Sequence, residues 1–490
     1  MRSSRAFKIA ANLLILIVWG GTLFFLLKQE DLLPGTVEPQ SFELRIPAET
    51  EIDSWRSVYV DDVWIGYVHV LYGRGTEGFT AATTSLLRFG MFGQPRELLI
   101  ESRQLLDDAH RLLEFETAIS GLVGITVSGR RSGDGLHVTM AYGDVTMGKF
   151  FELDDRVFLD QGIVQVYRGT DLSPGDTRLL RVLNPMTLQS ETATLRVLDR
   201  EEGLLVMETH IAGLTTTSWI DDRGLVVREK TPNGWSIVAE SRESVQRHLE
   251  ASALTPVDIL EKVAVPASGK LPRPRSVRSL TLRVSGCDIA DIPCREPRQV
   301  LLDPDRGLIR ITAHDESSLG GISLPAAGPK PESRLEPSLW IDSNDPAIGA
   351  MARSIVGGET DAWKASRLIS DWVYRNIEKV PNPHVPIATE VLKHRRGDCN
   401  EHTSLFVALA RAAGIPADMS AGLVYLEGAF YYHAWPRVFV GTWVDMDPTF
   451  GEAVADATHL ELVSGDFSAQ GRIAMTMGRI GLEIIDFEEM

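Results

Sequence analysis

Only three cysteines occur in 490 residues, Cys287, Cys294 and Cys399. So few exclude a disulfide-built scaffold and a multi-cysteine zinc module, and a chain of this length buries a sizeable core without covalent staples. Basic residues are scarce as well: 49 Lys and Arg stand against 67 Asp and Glu, a formal net charge of −18. With no long basic stripe, nucleic acid is excluded as a partner, because phosphate binding needs a positive surface. No fixed motif recurs at a solenoid-like period. What is present is ordinary globular material, 44% hydrophobic and 24% charged, enough for about three domains at roughly 150 residues each.

The amino end departs from that average. Residues 1–8 carry Arg2, Arg5 and Lys8 and no acid, and Ile9 to Leu27 then runs nineteen residues without a charge. Such a run nearly crosses a hydrocarbon core of about 30 Å. It is longer than the apolar region of a cleavable signal peptide, and Leu26-Leu27-Lys28-Gln29-Glu30 offers no small-x-small exit. The expectation is an uncleaved signal anchor over 9–27, with residues 1–8 as a cytoplasmic tail under the positive-inside rule. The protein is then single-pass in the inner (cytoplasmic) membrane of a bacterial source, with the bulk of the chain periplasmic or otherwise extracytoplasmic.

After a linker at Leu32–Gln40, residues 41–250 read as strands. Short Val-, Thr-, Tyr- and Phe-rich runs such as Trp64–Leu71, Leu136–Tyr142 and Leu204–His210 alternate with turn signals. One large antiparallel sheet is expected, curved or partly closed. Asp221-Asp222-Arg223-Gly224 reads as a hairpin turn, and Leu105–Leu113 fits helix or strand equally. Pro-rich stretches at Thr255–Arg275 and Ser318–Pro337 bracket a short β-rich segment, 276–317. Beyond Pro337 the pattern turns helical, with a start at Asn344-Asp345-Pro346 and a stop at Gly357-Gly358. A second helix is expected over Asp361–Ile377 with Leu368, Ile369, Trp372 and Val373 inward, and a third over Cys399–Ala413. Strands follow at Met419–Leu426, Phe430–Val440 and Thr442–Asp447. The overall class is α+β, with the α+β unit at residues 336–490.

Within that unit Cys399 follows Asp398, a good helix cap. Unpaired N–H groups and the helix dipole at such a terminus favour a thiolate, the form that attacks carbonyls. By itself Cys399 reads as a buried, inert cysteine packing the helix. His433 and Trp435 share a face of the following strand, and Asp445 and Asp447 share one on the next. A carboxylate there is able to hold the second ring nitrogen of His433 and fix its tautomer. His402, three residues after the cysteine, stands as a competing base, a pocket residue or plain packing. The cluster Lys393-His394-Arg395-Arg396 reads as a solvated loop.

Four ordered blocks carry a resemblance: Gly397-Asp398-Cys399-Asn400-Glu401-His402, then Ala408 to Ala417, then His433-Ala434-Trp435, then Trp443 with Asp447-Pro448-Thr449. Together they resemble the bacterial transglutaminase-like superfamily over about Glu336–Glu452. The resemblance implies a papain-like core and a Cys–His–Asp triad, with Cys399 as nucleophile, His433 as base and then acid, and Asp447 as orienter. It selects Asp447 over Asp445. Asp398, His402, Trp435 and Trp443 would line the pocket. Its members include amide acyltransferases, cysteine peptidases and amidases, so a protein, peptide or cell-wall amide substrate is implied, with no cofactor and no metal. The family often has a base where Asp418 stands and an acid where Arg437 stands. Cys287 and Cys294 either close a small extracytoplasmic disulfide loop or remain unpaired. The competing reading is a non-catalytic binding protein, its β-rich half holding a partner and its transglutaminase-like part a scaffold.

Overall fold

The structure is a computed structural model that describes residues 51–489 apart from short stretches, the longest being 159–171, 252–263 and 326–333. The expected anchor at Ile9–Leu27, with the tail before it and the linker after it, lies outside the described residues. Among those described, no helix is long and apolar enough to cross a membrane. The chain divides into two compact units near residue 260.

The first unit is built on a sheet of fifteen strands, β1 (Ile52–Val60) through β15 (Trp235–Glu240). On one side of β1 the strands follow in chain order out to β8 (Val145–Glu152). On the other, β1 pairs β15, and the order runs back to β9 (Val157–Phe158). Hairpin after hairpin gives this order, because short connections join antiparallel neighbours. The pairing of β9 with β10 (Thr177–Asn184) is parallel, which the expectation of a uniformly antiparallel sheet lacked. The Asp221–Gly224 turn is where the residues suggested, Gly224 N–H donating to the Asp221 carbonyl at 2.9 Å with φ at +74°. Leu105–Leu113 proves to be strand, turn, strand, with His110 at positive φ. Period-two burial sets one face inward: Leu98, Ile100, Ser102 and Gln104 alternate with exposed neighbours along one strand. One helix, α1 (Arg242–Ala251), closes this unit.

Among the described residues the second unit has a nine-stranded sheet and four α-helices. Its strands are β16 (Val265–Ser268), β17 (Val277–Ser285), β18 (Gln299–Asp303), β19 (Leu308–Thr312), β22 (Ala417–Leu426), β23 (Ala429–Phe439), β24 (Trp443–Asp445), β25 (His459–Ser464) and β26 (Gly481–Glu489). The order is 18-19-17-26-16-23-22-25, with β24 on β23. Segment 276–317, expected as a separate piece, is therefore part of the same sheet. The C-terminal β26 joins it by pairing β17 on one side and β16 on the other. Such long-range pairing leaves no local signal. Part of the supposed linker at 255–275 is strand β16 for the same reason.

The helices are α2 (Pro346–Val356), α3 (Ala362–Asn376), α4 (Ala388–His394) and α5 (Cys399–Ala412). Asp345 and Asp361 cap α2 and α3 by accepting backbone N–H groups, and Gly357 ends α2 at φ +60°. Ile369 and Val373 face inward as the spacing requires, but Leu368 is 41% exposed and Trp372 half-buried, so the apolar stripe of α3 is narrower than expected. Helix α5 is buried on every side from Cys399 to Arg411, wrapped by the other helices and by β22 and β23. Full burial of Leu405, Phe406 and Leu409 contributes about 1.5–3 kcal/mol each. A tiny parallel pair, β20 (Glu378–Lys379) and β21 (Arg396–Gly397), leads into α5.

Candidate active site

The start of α5 is fixed by a capping box. The Asp398 carboxylate accepts the Asn400 N–H at 2.9 Å, and Glu401 Oε2 accepts the Asp398 N–H at 2.8 Å. Gly397 makes room for this: a Cβ there would stand 2.3 Å from that of Glu401. Cys399 is thereby held at the first position of the helix, with the Asn400 side-chain amide 3.7 Å from its sulfur and the Ala434 backbone N–H directed at it from β23.

Cys399 is 1% exposed, and here the structure corrects the sequence reading. A helix terminus was expected to favour the thiolate. Burial instead pushes the Cys399 thiol well above its ordinary value, and the Asp398, Glu401 and Asp447 carboxylates add to it, with only the Ala434 N–H acting the other way.

His433, on β23, is likewise buried. Its Nε2–H donates to Asp447 Oδ2 at 2.7 Å, so Nδ1 is the ring nitrogen able to take a proton. Phe450 stacks on the imidazole with centroids 4.8 Å apart and planes 17° from parallel. Burial lowers the affinity of His433 for a proton, Asp447 opposes this, and His459 and Arg275 reinforce it. Asp447 does not lie on a strand: β24 ends at Asp445, and Asp447 sits in the turn beyond, bridged to Glu452. Its Oδ1 accepts the Thr449 and Phe450 N–H groups at 2.8 and 3.1 Å. Burial works against its charge, but His433 and His459 outweigh that and hold Asp447 well below the usual carboxylate range. Asp445, the alternative by strand parity, is taken by Arg298 at 3.0 Å.

The remaining expected pocket residues separate. His402 is fully buried, its Nδ1 2.6 Å from the Asp398 carbonyl, and burial lowers its pKa to about 4. It thus braces the cap and is a poor rival to His433. Trp435 is fully buried between His433 and His459, at centroid distances of 6.0 and 5.1 Å. Trp443 instead packs under the Arg437 guanidinium and against Phe439. Lys393 and His394 are exposed and pair with Glu390, but they form the last turn of helix α4 and Arg396 begins β21, so the cluster is solvated without being a loop. Cys287 and Cys294 are free thiols.

One residue escaped the sequence reading. His459 opens β25, and its Nε2 lies 3.1 Å from Asp447 Oδ2, the oxygen that also receives His433. No periodicity or motif links the run Ala455–His459 to the other blocks; only the pairing of β25 with β22 brings it here. His433, Asp447 and His459 gather ligand atoms within 4.8 Å, as do Glu452, Asp456 and His459. In the first group Asp447 Oδ1 accepts two backbone N–H groups, and Oδ2 faces the Nε2 atoms of both imidazoles.

Residues 349–448, which contain the cysteine, the histidine and the aspartate, match the family described as the transglutaminase-like superfamily. That stretch is a transglutaminase-like domain. No curated protein matches the chain in sequence. Among solved structures, a candidate cysteine protease from Cytophaga hutchinsonii is 16% identical, with 43% of this chain and 90% of that one covered and a TM-score of 0.30. A candidate protease from Parabacteroides distasonis is 12% identical over 75% of this chain and 69% of its own, TM-score 0.19. A β-barrel-like protein of a domain family of unknown function, from Brucella abortus, is 10% identical over 39% of this chain and 96% of its own, TM-score 0.28. The transglutaminase-like assignment rests on the family match and not on these structures.

Proposed function

We propose that the chain is a membrane-anchored, extracytoplasmic thiol enzyme of the acyl-transfer type, acting on an amide of a protein, peptide or cell-wall substrate. The observation that carries this reading is the buried His433–Asp447 bond of 2.7 Å, set beside a cysteine that heads a helix and receives the Ala434 N–H. In the resting site the thiol and the imidazole are both neutral. When an amide carbonyl approaches, His433 Nδ1 takes the thiol proton as the C–S bond forms. The imidazolium then returns that proton to the leaving amine as the C–N bond breaks, and a thioester remains. Attack by water gives hydrolysis; attack by an amine gives transfer. Asp447 holds the Nε2–H tautomer throughout. Residues 9–27 are the proposed anchor.

One observation favours the second reading, a non-catalytic binding protein: Cys399 is 1% exposed and burial holds its thiol proton tightly. Acylation by 4-nitrophenyl acetate separates the two. The enzyme reading expects the full chain to gain one acetyl group on Cys399 by peptide mass analysis, at a rate reduced about 100-fold or more in His433→Ala. A Cys399 that stays unacylated, or is acylated equally in the folded variant, establishes the scaffold instead.

A further inference from the structure

The Asp447 carboxylate is approached from two sides by imidazoles. His433 Nε2 stands 2.7 Å and His459 Nε2 3.1 Å from the same oxygen, Oδ2. The other nitrogen of His459 also meets only acceptors: Nδ1 lies 3.2 Å from the Asp456 carbonyl oxygen and 3.3 Å from Asp456 Oδ1. An imidazole whose two nitrogens both face acceptors satisfies both contacts only when both carry protons. His459 and Asp447 have fully buried side chains and Asp456 is nearly buried, so the contacts are made in a medium that screens poorly.

We propose that His459 is a positioning residue of the candidate thiol site: an imidazolium clamped between Asp447 and Asp456, which keeps Asp447 aimed at His433 and keeps His433 in its neutral, proton-accepting form. The inference rests on the thiol-enzyme reading above and names a residue outside its triad. The chain of contacts runs His433, Asp447, His459, Asp456, with the last three carrying alternating charge.

The charged groups around His459 agree with this. Burial alone would discharge the ring, but Asp456, Asp447 and Glu452 raise its pKa to about 9. Arg275 lies 3.0 Å from Asp456 and 3.4 Å from Glu452, and it covers the Phe450 ring at 4.9 Å, so the outer acids are shared between one guanidinium and one imidazolium. On the inner side stand His433, 5.7 Å away by centroids, and beyond it the Asp398 and Glu401 carboxylates at the head of α5. A fixed cation at that distance opposes protonation of His433. It also lowers the basicity of Asp447, which would otherwise draw a second proton onto the His433 ring.

The test reads the rings directly. In full-length protein labelled with 15N-histidine, both nitrogens of His459 are expected to be protonated at pH 7.5. In His459→Gln, which keeps the side-chain length and an N–H donor but not the charge, the His433 titration is expected to move up by about one pH unit. The acid limb of Cys399 acetylation by 4-nitrophenyl acetate should move with it. Asp456→Asn, which removes the outer negative charge but keeps an acceptor, should shift His433 the same way by less, and serves if His459→Gln does not fold. A neutral His459 in the wild type, or a His433 titration unmoved in both variants, overturns the inference, since a merely structural histidine would change rates without shifting a limb. Absence of acetylation in the wild type speaks against the thiol-enzyme reading alone, because the ring titrations need no substrate.

Discussion

Asp418 and Arg437 are direct cross-strand partners on β22 and β23, with 3.0 Å between Asp418 Oδ2 and Arg437 Nη2 in a buried setting. They are the two positions at which the sequence departs from the family pattern, an acid in place of a base and a base in place of an acid. The structure pairs the two residues with each other. Arg411 at 4.0 Å and Arg334 at 3.3 Å reinforce Asp418, and Arg437 extends to Glu461 at 3.6 Å.

Arg437→Met should therefore destabilise the second unit by about 3–5 kcal/mol, the cost of leaving a buried carboxylate short of its partner. Combined with Asp418→Asn, the loss should be clearly less than the sum of the two single losses. Urea unfolding of the three variants measures this, and strict additivity would show that the pair is not coupled.

Stability should depend on pH through His459. Its folded pKa of about 9 exceeds the unfolded value of about 6.5. The stabilisation is thus fully present below pH 6.5 and is lost as pH rises through about 9, on the order of 3 kcal/mol. Asp447, held low, contributes in the opposite sense: its share is present above about pH 3.9 and fades as pH falls further. Unfolding measured at pH 6 and pH 9.5 should show a large alkaline loss in wild type and a smaller one in His459→Gln. Identical losses would remove His459 as the cause.

Gly422 pairs with His433 on one side and lies against β25 on the other, where a Cβ would stand 1.9 Å from the Leu460 carbonyl oxygen. No flexible side chain is available to yield. Gly422→Ala should push β25 outward, costing about 1–3 kcal/mol and weakening the His459–Asp447 contact. Thermal unfolding together with the His459 ring shifts would detect both effects, and an unchanged protein would mean that the strands have slack.

Phe450 is half-buried and covers one face of His433. Phe450→Ala should open that face and raise the rate of Cys399 alkylation by iodoacetamide several-fold at pH 8, followed by mass analysis. A rate that stays flat would assign the closure of the sulfur to other groups.

What the residues alone determined is local or nearly so. The alternating strands of the first unit, the capped helices α2 and α3, the Asp398 cap and the ordered Cys–His–Asp blocks all follow from short-range patterning and from motif spacing. The tertiary structure decided the rest. It took Asp447 off its strand, carried the C-terminal β26 into the middle of the second sheet, and raised the Cys399 thiol by burying it, with the Asp398, Glu401 and Asp447 carboxylates adding to that. It also brought His459 onto Asp447. None of these has a period or a neighbour in sequence to announce it: each depends on which distant strands pair, and on how much water that pairing removes from a charge.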